Sequence, residues 1–264
     1  MTTIADVALN ILNATNVDDK TKLTHHGFTE WLNGNLSFQF NQTAPKRPGR
    51  PEKPELLSPK EMPKRRGASG NTARIAMLHA IAHIELNAID LAWDIILRFG
   101  KSMPIEFTND WIKVADDEAR HFELLNNRLM DLDSYYGALP AHDGLWQSAE
   151  KTSHDLKAKL AVVPLVLEAR GLDVTPSLIQ KFRSSNDKKS VAALEIIYRE
   201  EVDHVKAGNN WFNYVCNLEN LNPQTTYHTL VKKYFARHLK SPFNKEARDK
   251  ASLAESFYLP LSAN

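Results

Sequence analysis

Between residues 73 and 98 the apolar positions Ile75, Leu78, Ile81, Ala82, Ala88, Ile89 and Ala92 recur at three- and four-residue steps, on one stripe of a helix. Asn71 or Thr72 can cap its start and Gly100 its end. A second long helix is expected from about Pro104, a good first-turn residue, to about Asp131. The turn-rich stretch DSYYGALPAHDGLW follows, then helices over roughly 154–171 and 187–216. Pro164 should kink the third helix, because it cannot donate to the carbonyl of Leu160. Residues 222–239 read as one further amphipathic helix, and the last stretch, with Pro242 and Pro260, as irregular. Only ten glycines interrupt the 264 residues. The expected fold class is all-α, a four-helix bundle over residues 71–220 with an extension before it (1–70) and a helix and tail after it (221–264).

The informative residues are the carboxylates inside those apolar stripes. Glu85 lies among Leu78, Ile81, Ala82, Ala88 and Ile89, and Glu118 among Trp111, Val114, Ala115, Phe122 and Leu125. Glu168 has Ala161, Pro164, Leu165, Gly171 and Leu172 around it. Glu201 has Leu194, Ile197, Tyr198, Val205 and Gly208. Two Glu-x-x-His pairs occur, Glu118 with His121 and Glu201 with His204, and this spacing puts both side chains on one helix face. The interval from Glu85 to Glu118 equals the interval from Glu168 to Glu201. The two halves therefore share one constant offset, which carries Glu85 onto Glu168 and Glu118 onto Glu201. The same offset matches Asp90 to Asp173, and Asn126 and Asn127 to Asn209 and Asn210. This is an internal repeat of a helix pair.

Four carboxylates facing one core are costly unless a cation neutralises them. Two divalent metals would do so, with Glu85, Glu118, His121, Glu168, Glu201 and His204 as ligands. The hard oxygen-rich set favours iron or manganese over zinc or copper. The alternative, solvent-facing glutamates in salt bridges, conflicts with the apolar surroundings and the shared offset. A surrounding layer is expected from Asp117 and Glu200, placed to accept from ligand imidazoles, with Tyr198 beside Glu201. Arg120 and Asp203, equivalent in the repeat, are candidates for a buried ion pair.

Composition narrows the functional classes. The formal charge is +1, so no global field steers the chain onto nucleic acid or membrane. The single cysteine, Cys216, excludes internal disulfides, a thiolate zinc site and an iron–sulfur cluster. No transmembrane or secretory segment is expected, and the cytoplasm is the expected compartment. Residues 41–70 differ: six prolines and eight Lys or Arg (Lys46, Arg47, Arg50, Lys53, Lys60, Lys64, Arg65, Arg66) against three acids. Such a segment reads as an extended arm over the bundle, or as a basic strip for RNA or another polyanion, though without interleaved aromatics.

The stretches DDEARHF and REEVDHV resemble the acid-Glu-x-Arg-His signature of the ferritin-like di-iron carboxylate superfamily, the second more loosely. More narrowly, PGRPEKPELLSPKEMPKR, HAIAHIELNAIDLAWD, LEARGLDVTP and KSPFNKEARDKA resemble a bacterial ferritin-like family catalogued as a domain of unknown function. A more distant similarity is to the di-iron tRNA hydroxylases. The resemblance implies a ferritin-like bundle with a dinuclear centre. Leu125 and Gly208 stand where the ribonucleotide reductase relatives keep a radical tyrosine, which argues against that role. The expected function is a di-iron oxidoreductase (manganese being the other metal) that activates O₂ to hydroxylate or desaturate a small-molecule or RNA-borne substrate. It would draw on an external electron donor. The alternatives are a ferroxidase or peroxide-scavenging protein, and a bundle that metal merely stabilises.

Overall fold

The computed structural model describes residues 2–58, 60–62 and 70–263. Among them the fold is all-α; pairing outside helices is limited to the isolated bridges Thr3–Ser37, Leu56–Ala141 and Leu239–Ser262. Backbone contacts divide the chain into two compact units, Met1–Trp146 and Gln147–Asn264.

The first unit contains α1 (Ile4–Asn13), α2 (Val17–Leu32), α3 (Gly70–Phe99) and α4 (Ile105–Met130). Thr3 and Asp6 close a reciprocal cap at the start of α1, and Asn16 caps α2 through the amides of Asp18 and Asp19. The two helices of the N-terminal segment pack with the rest of this unit, α1 on α3 and α2 on α4. Ile4, Ala5, Ala8, Ile11 and Leu12 are wholly buried there. Helix α3 is apolar on several sides for the same reason, with α4 and α1 both packed on it. It is long and apolar enough to cross a membrane, but 67% of that window is buried inside the protein, as in a core helix.

Between α2 and α3 the described residues 41–58 form no helix, and Pro45, Gly49 and Arg50 tie them to α1 and α3. Gly49 donates to the carbonyl of Leu12 (2.6 Å), so close that a Cβ there would collide with the Asn13 carbonyl oxygen. Arg98 reaches the carbonyl of Pro45 (2.5 Å), and Arg47 pairs with Asp143 (2.5 Å). Of the basic residues expected to form a strip, Lys64, Arg65 and Arg66 lie outside the described residues.

Helix α5 (Gly144–Lys151) lies at the division. The second unit contains α6 (Leu156–Val162), one π turn (Val163–Glu168), α7 (Ala169–Ser184) and α8 (Lys188–Leu218). The expected kink at Pro164 takes the form of that π turn. With no N–H to offer, the proline breaks the regular ladder, and its own carbonyl accepts from the amide of Ala169.

Two expectations for this unit need correction. The third helix does not stop at 171 but runs to Ser184, straight through Pro176. Pro176 leaves the carbonyl of Leu172 without its helical donor, and Asn244 supplies one through Nδ2 at 3.1 Å. The tail is not irregular either. After α9 (Pro223–Tyr234) come the short helices α10 (Lys245–Lys250) and α11 (Glu255–Tyr258). Arg248 of α10 anchors them: its guanidinium is held by Asp173 (2.7 and 2.9 Å) and lies over the rings of Phe243 and Tyr258.

Candidate metal centre

Helices α3 and α4 form a hairpin about the turn at residues 100–104, and Glu85 and Glu118 lie within one residue of equal distance from that turn along the sequence. Nearly equal distance from the turn sets the two carboxylates at nearly one level. Glu85, Glu118 and His121 offer ligand atoms within 4.8 Å of one another. His121 Nδ1 is 3.3 Å from Glu85 Oε2 and 3.5 Å from Glu118 Oε2. All three side chains are buried, and the apolar residues expected around Glu118 (Trp111, Val114, Ala115, Phe122 and Leu125) are buried with them. Burial, and then the Glu118 carboxylate, push the Glu85 carboxyl up to about 8. A divalent cation would reverse both effects, and two carboxylates with an imidazole are a donor set suited to iron or manganese. The residues fit such an ion.

The second unit repeats the plan. The interval between Glu168 and Glu201 is the same as in the first hairpin, but Glu168 lies farther along the sequence from the turn joining α7 to α8 than Glu201 does, and the π turn falls on its side. Glu201 and His204 are buried one turn apart on α8, with Glu201 Oε1 3.9 Å from His204 Nδ1. Glu168 is half-buried and ends the π turn instead of standing in a regular helix. The first triad thus sits on two regular helices, and the second on one helix and one π turn.

Other repeat positions also keep their roles. Asp90 is a fully buried carboxylate held by Lys20 (2.5 Å) and Arg50 (2.8 Å). Asp173, its equivalent, is a fully buried carboxylate held by Arg248. Asn126 accepts from the amide of Tyr136 (3.1 Å), and Asn209 donates to the carbonyl of Ser252 (2.8 Å), each tying its helix to a distant segment.

In the surrounding layer, Asp117 is buried and takes both Lys113 (2.6 Å) and Arg120 (2.8 Å) of its own helix. Glu200 pairs with Arg199 (3.3 Å), and Tyr198 accepts at its hydroxyl from Asn244 (2.8 Å). Asp203 is exposed, not part of a buried pair with Arg120. A helix side chain one position from a core residue points some 100° away from it, so neighbours in sequence need not face the site.

Sequence reasoning missed a second buried polar group on α3. His79, His83, Asn87 and Asp90 recur at steps of four, four and three on a face other than that of Glu85. The stripe was visible in HAIAHIELNAID, but its partners come from remote segments. Tyr136 donates its hydroxyl proton to His83 Nδ1 (2.8 Å), and His83 Nε2 donates to the carbonyl of His142 (3.1 Å), the tautomer following from these partners. Arg50 joins Asn87 (2.7 Å) to Asp90, and the amide of Gly137 donates to His79 (2.9 Å). Burial, then the nearby Arg50, pull the His83 imidazole down to about 4, so it is neutral at pH 7.

An all-α chain with a buried Glu/His group able to hold a metal ion is the class that fold and site define. The chain belongs to the DUF455 family of proteins of unknown function, whose family model matches residues 13–259. It is 42% identical over 211 residues to an uncharacterized protein of Haemophilus influenzae, covering 78% of this chain and 73% of that one. No solved structure matches it.

Proposed function

We propose that this protein is a dinuclear-metal oxidoreductase of the ferritin-like kind, with iron as its metal and manganese as the alternative. Glu85, Glu118 and His121 would supply one set of ligands, and Glu168, Glu201 and His204 the other. The observation that carries the reading is the first triad: two carboxylates crowded in an apolar interior, one of them pushed far above the ordinary range. Such an arrangement is costly as it stands and is relieved by a cation. The internal repeat supplies a second set of the same donor types, and so supports two ions.

When bound, reduced metal would supply electrons to O₂ for hydroxylation or desaturation of an organic substrate, small or RNA-borne, with an external donor restoring the reduced state. The protein would hold the metal charge with four carboxylates and fix the imidazoles by burial. The cytoplasm is the compartment consistent with this chemistry.

The test is reconstitution with Fe(II) under anaerobic conditions, followed by elemental analysis and O₂ uptake with and without cell extract. Two ions per chain, magnetically coupled, and uptake stimulated by extract are expected. Zero or one ion per chain refutes the dinuclear reading. Rapid turnover of Fe(II) or peroxide that extract leaves unchanged assigns the protein to the ferroxidase or peroxide-scavenging class instead.

A further inference from the structure

The two triads are built differently, and the difference converges on one glycine. Gly208 stands one turn beyond His204 on the same face of α8. A Cβ on Gly208 would collide with Cβ of Pro164 and lie 2.5 Å from its Cγ. Both atoms belong to a pyrrolidine ring tied to the backbone, so no rotamer change can relieve the contact. Any side chain at 208 must push the π turn and α8 apart. That turn ends at Glu168.

The equivalent positions of the first half are Ile81 and Leu125, both branched aliphatics, and α3 remains a regular helix through Glu85. Helix register alone therefore delivers Glu85. Glu168 instead depends on a local departure from the α-helix, seated where α8 lacks a side chain.

We propose that Gly208 is a positioning residue for Glu168: its close approach to Pro164 seats the π turn, and the metal subsite that depends on Glu168 is in consequence the weaker of two unequal subsites. This rests on the proposed dinuclear reading. Metal then enters in order, and the subsite that needs Glu168 fills last. A π turn has a nearby alternative, the plain α-helix, which would rotate Glu168 by about 100° for each residue of register change. The second subsite is thus the one whose carboxylate can be lost without unfolding a long helix.

The experiment is an anaerobic titration of the full-length protein with Co(II), followed by calorimetry and visible absorption. Wild type should show two steps, the first tighter. Gly208→Ala should weaken the second step at least tenfold while leaving the first within twofold, with helix content unchanged by circular dichroism. A loss of stability alone would weaken both steps together, so the split between them reports positioning. If Gly208→Ala does not fold, Pro164→Ala serves: it restores the missing N–H, allows the regular ladder, and should weaken the second step selectively. Two unchanged steps in a folded variant overturn the proposal, as do two equal steps in wild type. Wild type that binds fewer than two Co(II) overturns the dinuclear reading itself, and this inference with it.

Discussion

Replacing Glu85 by glutamine should stabilise the metal-free protein and abolish its stabilisation by metal. In the unfolded chain a glutamate is ionised at pH 7, whereas in the fold Glu85 is pushed up to about 8 from 4.5. At about 1.4 kcal/mol per tenfold change, the interval from 4.5 to pH 7 corresponds to about 3 kcal/mol against folding. Glutamine removes the ionisation, keeps the volume, and can donate an N–H to Glu118. Relaxation around the site reduces the gain, so Glu85→Gln should recover roughly 1–3 kcal/mol, or some 2–10 °C in Tm for a chain of this size. Between pH 4.5 and 8 the wild-type fold binds more protons than the unfolded chain, so its metal-free stability falls as pH rises through that window. The variant lacks this component, and its advantage should grow from pH 5 to pH 8. Thermal melts in EDTA across that range, repeated with Co(II), measure both effects. Metal should raise the wild-type Tm by mass action and leave the variant largely unchanged. A metal-free variant less stable than wild type at pH 8, with no growth of the difference with pH, would refute the electrostatic reasoning.

Other perturbations follow from the same packing. Asp173→Asn leaves the buried Arg248 guanidinium without its counter-charge and should cost about 3–5 kcal/mol, read as a lower Tm; Asp90→Asn should act similarly in the first unit through Lys20 and Arg50. His25, raised chiefly by its 2.6 Å contact with Asp116, stabilises the packing of α2 on α4 below about pH 6.5, and this contribution is lost as pH rises through the raised value. Being a third exposed, the pair is worth less than about 1 kcal/mol, so His25→Gln in the Glu85→Gln background should remove a small residual pH slope in Tm. Deleting residues 1–32 should unfold the first unit, because α1 and α2 belong to its core; circular dichroism retaining the full α3 and α4 signal would contradict that.

Much of the candidate site was legible in the amino-acid order. Helical periodicity placed α3, α4 and α8 to within a few residues, because their apolar stripes are long; of the expected caps, Asn71 and Thr72 instead fall inside α3. A lone carboxylate in each stripe, and an imidazole three residues after two of them, marked the candidate ligands, since a helix converts that spacing into a shared face. The first pair carried a second message: Glu85 and Glu118 are almost equally far from their turn, which in a hairpin means nearly equal height, whereas Glu168 and Glu201 are not. Proline was the harder signal. The third helix was expected to end before Pro176, yet a proline inside a helix orphans one carbonyl, and the structure satisfies that of Leu172 through Asn244, 72 residues away.

Sequence by itself determined what is local and periodic: the all-α class, the helix hairpins, the repeat, and the burial of Glu85, Glu118 and Glu201. Tertiary structure alone decided what depends on chain segments far apart. It recruited α1 and α2 into the first unit, and it gave Asp90 its partners Lys20 and Arg50 from well outside α3. It turned the Pro164 kink into a π turn seated on Gly208, and it folded the tail onto Asp173 through Arg248. The physical reason is the same in each case. A periodic pattern states that a side chain must be buried, whereas the group that covers it or neutralises its charge is chosen by packing, which acts across space and leaves no spacing in the sequence to read.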